Sequence, residues 1–94
     1  MYSMTRTELI EEQHQLFWYI NKKDLPGISD TVLVEFLLNY GDMDSVRHLF
    51  EVMGVDRVAT VFSQSIRGKR DNYFPQVKHY FDLYFKKYVP QYPF

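Results

Sequence analysis

Apolar and polar side chains alternate with helical spacing over residues 75–88. Side chains three or four positions apart are apolar or aromatic there, which is the pattern of a helix with one buried face. The members of this stripe are Val77, Tyr80, Phe81, Tyr84, Phe85 and Tyr88. Pro75 suits the first turn of such a helix, and Pro90 cannot continue it. The pattern predicts a helix over 75–88 and a mobile tail over 90–94.

Glycines separate three shorter segments that also have helical spacing. Gly41, Gly54 and Gly68 each follow an apolar-rich segment, and glycine often supplies the left-handed residue that ends a helix. Each segment has an aspartate near its start, where the carboxylate can accept free backbone N–H groups. The candidate caps are Asp30, Asp42 or Asp44, and Asp56. The predicted helices cover 30–40, 43–53 and 56–66.

The segment 30–40 is apolar on nearly all sides. After Asp30, its only polar residues are Thr31, Glu35 and Asn39. A helix of this kind is buried on most sides, so we expect it at the centre of the fold. Its valines and leucines would also suit a strand, but its length and the glycine that follows favour a helix.

The N-terminal segment forms a further candidate helix. Thr5 and Glu8 have the spacing of a capping box, in which each side chain accepts the other residue's backbone N–H. They predict a helix from about Thr5 to about Tyr19. Its end stays open, because residues 17–20 could instead be extended and lead into a turn at residues 26–27.

These segments together predict an all-α fold, a compact bundle of about five short helices in a single domain over 1–94. A chain of 94 residues with 46% apolar and 24% charged residues is of ordinary globular composition, and this argues against disorder. Aromatic residues make up 18% of the chain, enough to fill a core. Because there is no cysteine, disulfides and thiolate chemistry are excluded.

The distribution of apolar residues also bears on location. The longest unbroken apolar run is 16–20, whereas a membrane span needs about 20 apolar residues. Residues 1–6 do not have the basic and apolar regions of a secretory signal. We therefore expect a soluble, cytoplasmic protein that does not enter a membrane.

Charge is distributed unevenly although the formal net charge is only −1. Residues 1–65 carry five basic and ten acidic side chains, whereas residues 66–94 carry six basic and two acidic ones. This asymmetry could steer an oppositely charged partner. It could equally let the two parts attract each other within one fold.

No residue pattern indicates catalysis or a cofactor. The three histidines, His14, His48 and His79, lie on different segments without a partner at metal-binding spacing. The serines and threonines have no context typical of an activated nucleophile, and no glycine-rich phosphate loop occurs. We therefore expect a non-enzymatic protein with no cofactor and no metal.

The aromatic stripe of 75–88 has two interpretations. As core, Phe81 and Phe85 point inward and the tyrosine hydroxyls reach water at the margins. As an interface, the tyrosines form a partner surface, since tyrosine is enriched in such surfaces. The candidate partner-binding residues are Tyr80, Tyr84, Tyr88, and the exposed tail residues Tyr92 and Phe94. The apolar surplus also makes a homodimer an option.

Nucleic-acid binding is the alternative function. Basic side chains interleaved with rings can follow a single strand. The candidate residues are Arg67, Lys69, Arg70, Lys78, Lys86 and Lys87. Residues 54–61 also suggest a helix-turn-helix, but the bulky Phe50 and the acidic Asp56 disfavour it.

One run of residues resembles a known family. Residues 36–42 (FLLNYGD), followed by Val46, Leu49 and the pair 53–54, resemble small bacterial helical domains found beside abortive-infection-type nucleotidyltransferase toxins. Phe17 and Trp18 upstream fit too, and the likeness covers about 16–88. Met53 stands where the family has an aromatic residue. The resemblance implies a helical, antitoxin-like partner of such a toxin and no catalytic residue.

Overall fold

The computed structural model describes residues 4–17, 27–68 and 71–92, and its regular elements are all helical. The elements are α1 (Arg6–Glu12), a 3-10 turn (His14–Phe17), α2 (Asp30–Tyr40), α3 (Met43–Met53), α4 (Val55–Arg67) and α5 (Pro75–Tyr88). The predicted all-α bundle of about five helices is confirmed. The predicted bounds of α2, α3 and α5 agree with the structure, whereas α4 extends one residue further at each end.

The helix α2 occupies the centre of the fold, as its apolar composition predicts. It packs against α3, α4 and the 3-10 turn. Four of its side chains are fully or almost fully buried: Leu33, Val34, Leu37 and Leu38. Burial of these side chains contributes about 1.5–3 kcal/mol each, and it orients the helices around them.

Aromatic rings attach α5 to this core. The ring of Phe85 is fully buried, and its centroid lies 5.4 Å from that of Phe62 in α4 and 6.2 Å from that of Phe50 in α3. Phe81 is buried one turn earlier. The inward-pointing phenylalanines of the core interpretation are therefore present, and they fix which side of α5 faces outward.

The N-terminal helix is shorter than the sequence predicts. The capping box of Thr5 and Glu8 is confirmed, but α1 ends at Glu12 and a 3-10 turn follows it. The His14 ring nitrogen donates to the Glu11 carbonyl oxygen at 3.0 Å, taking an acceptor that a continuing helix would need. A continuous helix to Tyr19 is therefore wrong. The predicted turn at 26–27 and the alternative extended stretch at 17–20 lie largely outside the described residues.

Two predicted caps are also wrong. The cap of α2 is Ser29, whose hydroxyl accepts the Val32 N–H, and Asp30 lies inside the first turn. The cap of α4 is Gly54, with no side-chain hydrogen bond, and Asp56 lies inside the helix. Both aspartates still favour a helix start through the helix dipole. Of the three candidate positions, the prediction is correct at Asp42, which caps α3.

The glycines that end helices do so for different reasons. Gly54 has a φ of 86° and a ψ of 138°, which side-chain-bearing residues rarely adopt. Gly41 is instead extended, and a Cβ there would lie 2.6 Å from the Leu37 carbonyl oxygen and closer still to the Ser45 hydroxyl. The expectation of a left-handed residue is therefore wrong at Gly41 and Gly68, which are both extended, and a positive φ occurs at Gly54. Gly41 is required by a close approach.

Candidate functional site

The helix α5 has one buried and one exposed side. Phe81 and Phe85 point into the core, whereas Tyr80, Leu83 and Tyr88 are 52%, 52% and 55% exposed. Tyr84 lies half-buried between the two sides. The two interpretations of the aromatic stripe therefore apply to different sides of the same helix.

A hollow lies between the start of α3 and the exposed side of α5, and we call it the α3–α5 groove. Its volume is about 220 Å³. It is lined by Met43, Val46, Arg47, Phe50, Tyr80, Phe81 and Tyr84. The rings of Phe50 and Tyr84, which both line it, stack against each other with centroids 5.7 Å apart and planes at 25°. This contact between two helices gives the groove an aromatic wall.

A second hollow continues along α5, and we call it the α5 hollow. It is lined by Tyr80, Leu83, Tyr84, Lys87 and Tyr88. The Lys87 ammonium lies 5.4 Å from the centroid of the Tyr88 ring, within the range of a cation–π contact. Partial burial raises the pKa of the Tyr84 hydroxyl, and Tyr88 and Tyr80 raise it further.

The two candidate residues of the tail, Tyr92 and Phe94, differ from the tyrosines of α5. The expectation that Tyr92 is exposed is wrong, because its ring is buried against Phe85 with centroids 5.7 Å apart. Its hydroxyl donates to the Asp82 carboxylate at 2.7 Å, which lowers the pKa of Asp82. Tyr92 thus joins the tail to α5 instead of offering a ring to a partner. Phe94 lies outside the described residues.

Two of the candidate nucleic-acid residues have carboxylate partners. The Lys78 ammonium lies 3.0 Å from Asp71, and the Lys86 ammonium lies 3.0 Å from Asp82. Arg67 donates to the Ser63 carbonyl oxygen. Lys69 and Arg70 lie outside the described residues, and Lys87 belongs to the α5 hollow.

The suggested helix-turn-helix does not have the geometry of that motif. Gly54 alone separates Met53, the last residue of α3, from Val55, the first of α4. The motif uses a turn of about three or four residues. Most apolar residues of α4 are moreover buried in the core and do not face outward.

Several other ionisable groups form ion pairs between helices. His48 on α3 contacts the Glu12 carboxylate on α1 at 2.9 Å. Asp30 pairs with both Arg6 and Arg57, which joins three segments. Among residues 4–17, 27–68 and 71–92, no three histidine or carboxylate side chains form a group that could hold a metal ion. In the same residues, no helix is long and apolar enough to cross a bilayer.

Two surface residues of the site were not singled out in the sequence. Met43 is 77% exposed at the first position of α3, and it lines the groove together with α5 residues that are distant in the sequence. Leu83 is an apolar residue on the otherwise polar side of 75–88. An apolar residue on the polar side of a helix is visible in the sequence, and it could have indicated this exposed surface.

Comparison of the chain with protein-family models, with curated proteins and with solved structures finds no match.

Proposed function

We propose that this chain is a non-catalytic protein-interaction domain that binds its partner through the exposed side of α5 and the α3–α5 groove. The observation that carries the proposal is the contiguous surface formed by Tyr80, Leu83 and Tyr88, each more than half exposed, beside Met43. Exposed apolar surface of this kind marks interaction sites in proteins. Tyrosine and methionine are also enriched where proteins meet.

The partner in this proposal is a toxin enzyme of the nucleotidyltransferase type, which the chain masks as an antitoxin does in the cytoplasm. The resemblance of residues 36–54 to antitoxin-like helical domains supports this choice. Masking needs a rigid surface and no chemistry of its own, so no cofactor enters the proposal. The stacked rings of Phe50 and Tyr84 support a surface that is formed before binding.

Protein binding is favoured over nucleic-acid binding by the charges of the basic region. Lys78 and Lys86 are each neutralised by a carboxylate, which leaves less positive charge to contact phosphates. The exposed rings lie beside apolar side chains such as Leu83 and Met43, and the cation in contact with them is Lys87 at the Tyr88 ring.

Coexpression with a nucleotidyltransferase-type toxin tests the proposal. We expect the wild-type chain to restore growth and Tyr80→Ala to lose most of this protection. Tyr40→Ala is the matched control, because Tyr40 is 53% exposed but lies on α2 and lines neither hollow. Failure of the wild-type chain to protect, or equal protection by both variants, would contradict the proposal.

A further inference from the structure

We propose that the α3–α5 groove and the α5 hollow receive an acidic amphipathic helix of the partner, with a large apolar side chain in the groove and a carboxylate beside Lys87. This inference rests on the proposed function and names the chemistry of the segment that is bound. It is argued from the charges, the size and the surroundings of the two hollows.

The charged side chains that line the two hollows are both cations, Arg47 in the groove and Lys87 in the α5 hollow. Arg47 also pairs with the Asp44 carboxylate on its own helix, so Lys87 is the cation on which the charge argument depends. The polar hollow between α2 and the segment before α5 differs, because its charged lining residues are Glu35 and Asp71. Lys87 therefore places a positive charge beside the apolar surface, and this complements a partner that carries a carboxylate beside its apolar residues.

The size of the groove indicates a side chain instead of a free small molecule. Its volume of about 220 Å³ lies below the range of about 300–1,000 Å³ that is usual for small-molecule sites. A groove of that size suits one large anchor residue. The neighbouring α5 hollow is larger, about 340 Å³, so the size argument applies to the groove alone. Through Leu83 and Lys87, this hollow provides a place for a second contact one turn along the helix.

The surroundings favour a helical segment. The groove runs between two helices, α3 and α5, and a helix with apolar residues at positions i, i+3 or i+4, and i+7 fits such a groove. An extended strand would need a sheet edge to pair with, and the described part of the chain has no strand.

A second copy of the chain fits this surface less well. The most acidic described helix is α1, with Glu8, Glu11 and Glu12. Its apolar residues Leu9 and Ile10 are buried in its own core, so a second copy would present carboxylates without an anchor side chain. The helix α5 of a second copy does expose an apolar stripe, but the charged side chain that lines its hollow is Lys87 and not a carboxylate.

Selection from a yeast-displayed library of random helical peptides of about 18 residues tests the inference. The purified full chain is the bait, and enriched peptides are measured by titration. We expect peptides with net negative charge and an apolar stripe at helical spacing. Tyr80→Ala should weaken their binding about tenfold or more, whereas Tyr40→Ala should leave it within about twofold.

The charge part of the inference has its own variant. Lys87→Glu keeps the apolar lining of the groove, and we expect it to weaken the acidic peptides about five- to tenfold. Circular dichroism of each variant checks that its helices are intact. Enriched peptides that are neutral or basic, or that bind Lys87→Glu as well as the wild-type chain, would overturn the acidic partner.

Two further measurements separate the other occupants of this surface. A wild-type dimer in sedimentation velocity that Tyr80→Ala abolishes would overturn the inference in favour of a second copy. Oligouridylate that competes with the peptides would overturn it in favour of single-stranded RNA.

If the chain protects cells from the toxin but no peptide depends on Tyr80, the inference fails and the proposed function stands. Peptide binding as expected without protection leaves the surface correct and the antitoxin role wrong.

Discussion

Two buried tyrosines, Tyr73 and Tyr92, have opposite hydrogen-bonding situations at their hydroxyls. The Tyr73 ring packs edge-on against Phe62, with centroids 5.0 Å apart, but its buried hydroxyl has no hydrogen-bond partner among the described residues. Burial raises the pKa of this hydroxyl, and the nearby Glu35 and Asp71 raise it further. The Tyr92 hydroxyl instead donates to Asp82. The ring of each is needed for packing, but the hydroxyl stabilises the fold only at Tyr92.

The substitution Tyr73→Phe is therefore expected to leave the free energy of unfolding unchanged or to raise it. It keeps the ring against Phe62 and removes a buried polar atom whose desolvation costs about 1–3 kcal/mol. Tyr92→Phe is the matched control and should lower the free energy of unfolding by about 0.5–1.5 kcal/mol, the usual net value of a lost hydrogen bond. Urea denaturation measures both variants. A loss of more than about 1 kcal/mol in Tyr73→Phe would mean that its hydroxyl is paired in the folded protein.

The backbone at Gly54 provides a second test at the scale of one residue. Its φ of 86° with a ψ of 138° lies in a region that is nearly restricted to glycine. Gly54→Ala should lower the free energy of unfolding by about 1–3 kcal/mol. Gly27→Ala is the control, because a Cβ there would meet nothing within 4 Å and the φ is not positive. Thermal unfolding compares the two, and an equal shift in Tm would show that backbone strain is not the cause.

The sequence predicts the helices best where their ends depend on local chemistry. Asp42 caps α3 and Pro75 begins α5, because a side-chain cap and a fixed φ act within one turn. The end of α1 could not be predicted, since it involves a hydrogen bond from the His14 ring to the Glu11 carbonyl oxygen. Residue type does not decide between Ser29 and Asp30 as the cap of α2, since serine and aspartate are about equally preferred at this position.

The candidate site was predictable only in part for the same reason. Tyr80, Tyr84 and Tyr88 share a helix face, which periodicity reveals. The exposure of Met43 and the burial of Tyr92 depend on contacts between elements that are distant in sequence or that follow a reversal of the chain. A one-dimensional pattern does not specify these contacts.

The contact between the tail and α5 depends on pH. The Tyr92 hydroxyl, and to a smaller degree Lys86, lowers the pKa of Asp82 below its ordinary 3.8 in the folded protein. A group with a lowered folded pKa contributes stability above its unfolded pKa and loses it as the pH falls through the folded value. The deficit of Tyr92→Phe relative to wild type should therefore be full near neutral pH and should shrink below about pH 4. Urea denaturation near pH 7 and near pH 3 measures this difference, and a deficit that stays constant would show that Asp82 is not the acceptor.

At the scale of the whole molecule, the asymmetry of charge had two interpretations. The ion pairs Lys78–Asp71 and Lys86–Asp82 lie within the basic part, residues 66–94. The pairs Arg6–Asp30 and His48–Glu12 lie within the acidic part, residues 1–65. Between the parts, Asn39 donates to the Asn72 carbonyl oxygen at 3.0 Å, and Asn72 donates to the Glu35 carboxylate at 3.5 Å. The four ion pairs each lie within one part, so they do not cancel the charge difference between the parts, which can act on an external partner.

Steering has a kinetic signature that a purely apolar contact does not have. Lys87 and Arg47 border the apolar surface and are exposed to salt, and the Debye length falls from about 10 Å at 0.1 M to about 3 Å at 1 M. The association rate of an acidic peptide that binds the groove should therefore fall several-fold between about 0.05 M and 0.5 M salt, with a much smaller change in its dissociation rate. Stopped-flow fluorescence measures both rates. Lys87→Glu should bind slowly already at low salt and show a smaller salt dependence. If the association rate of the wild-type chain does not change with salt concentration, apolar contact alone brings the partner to α5.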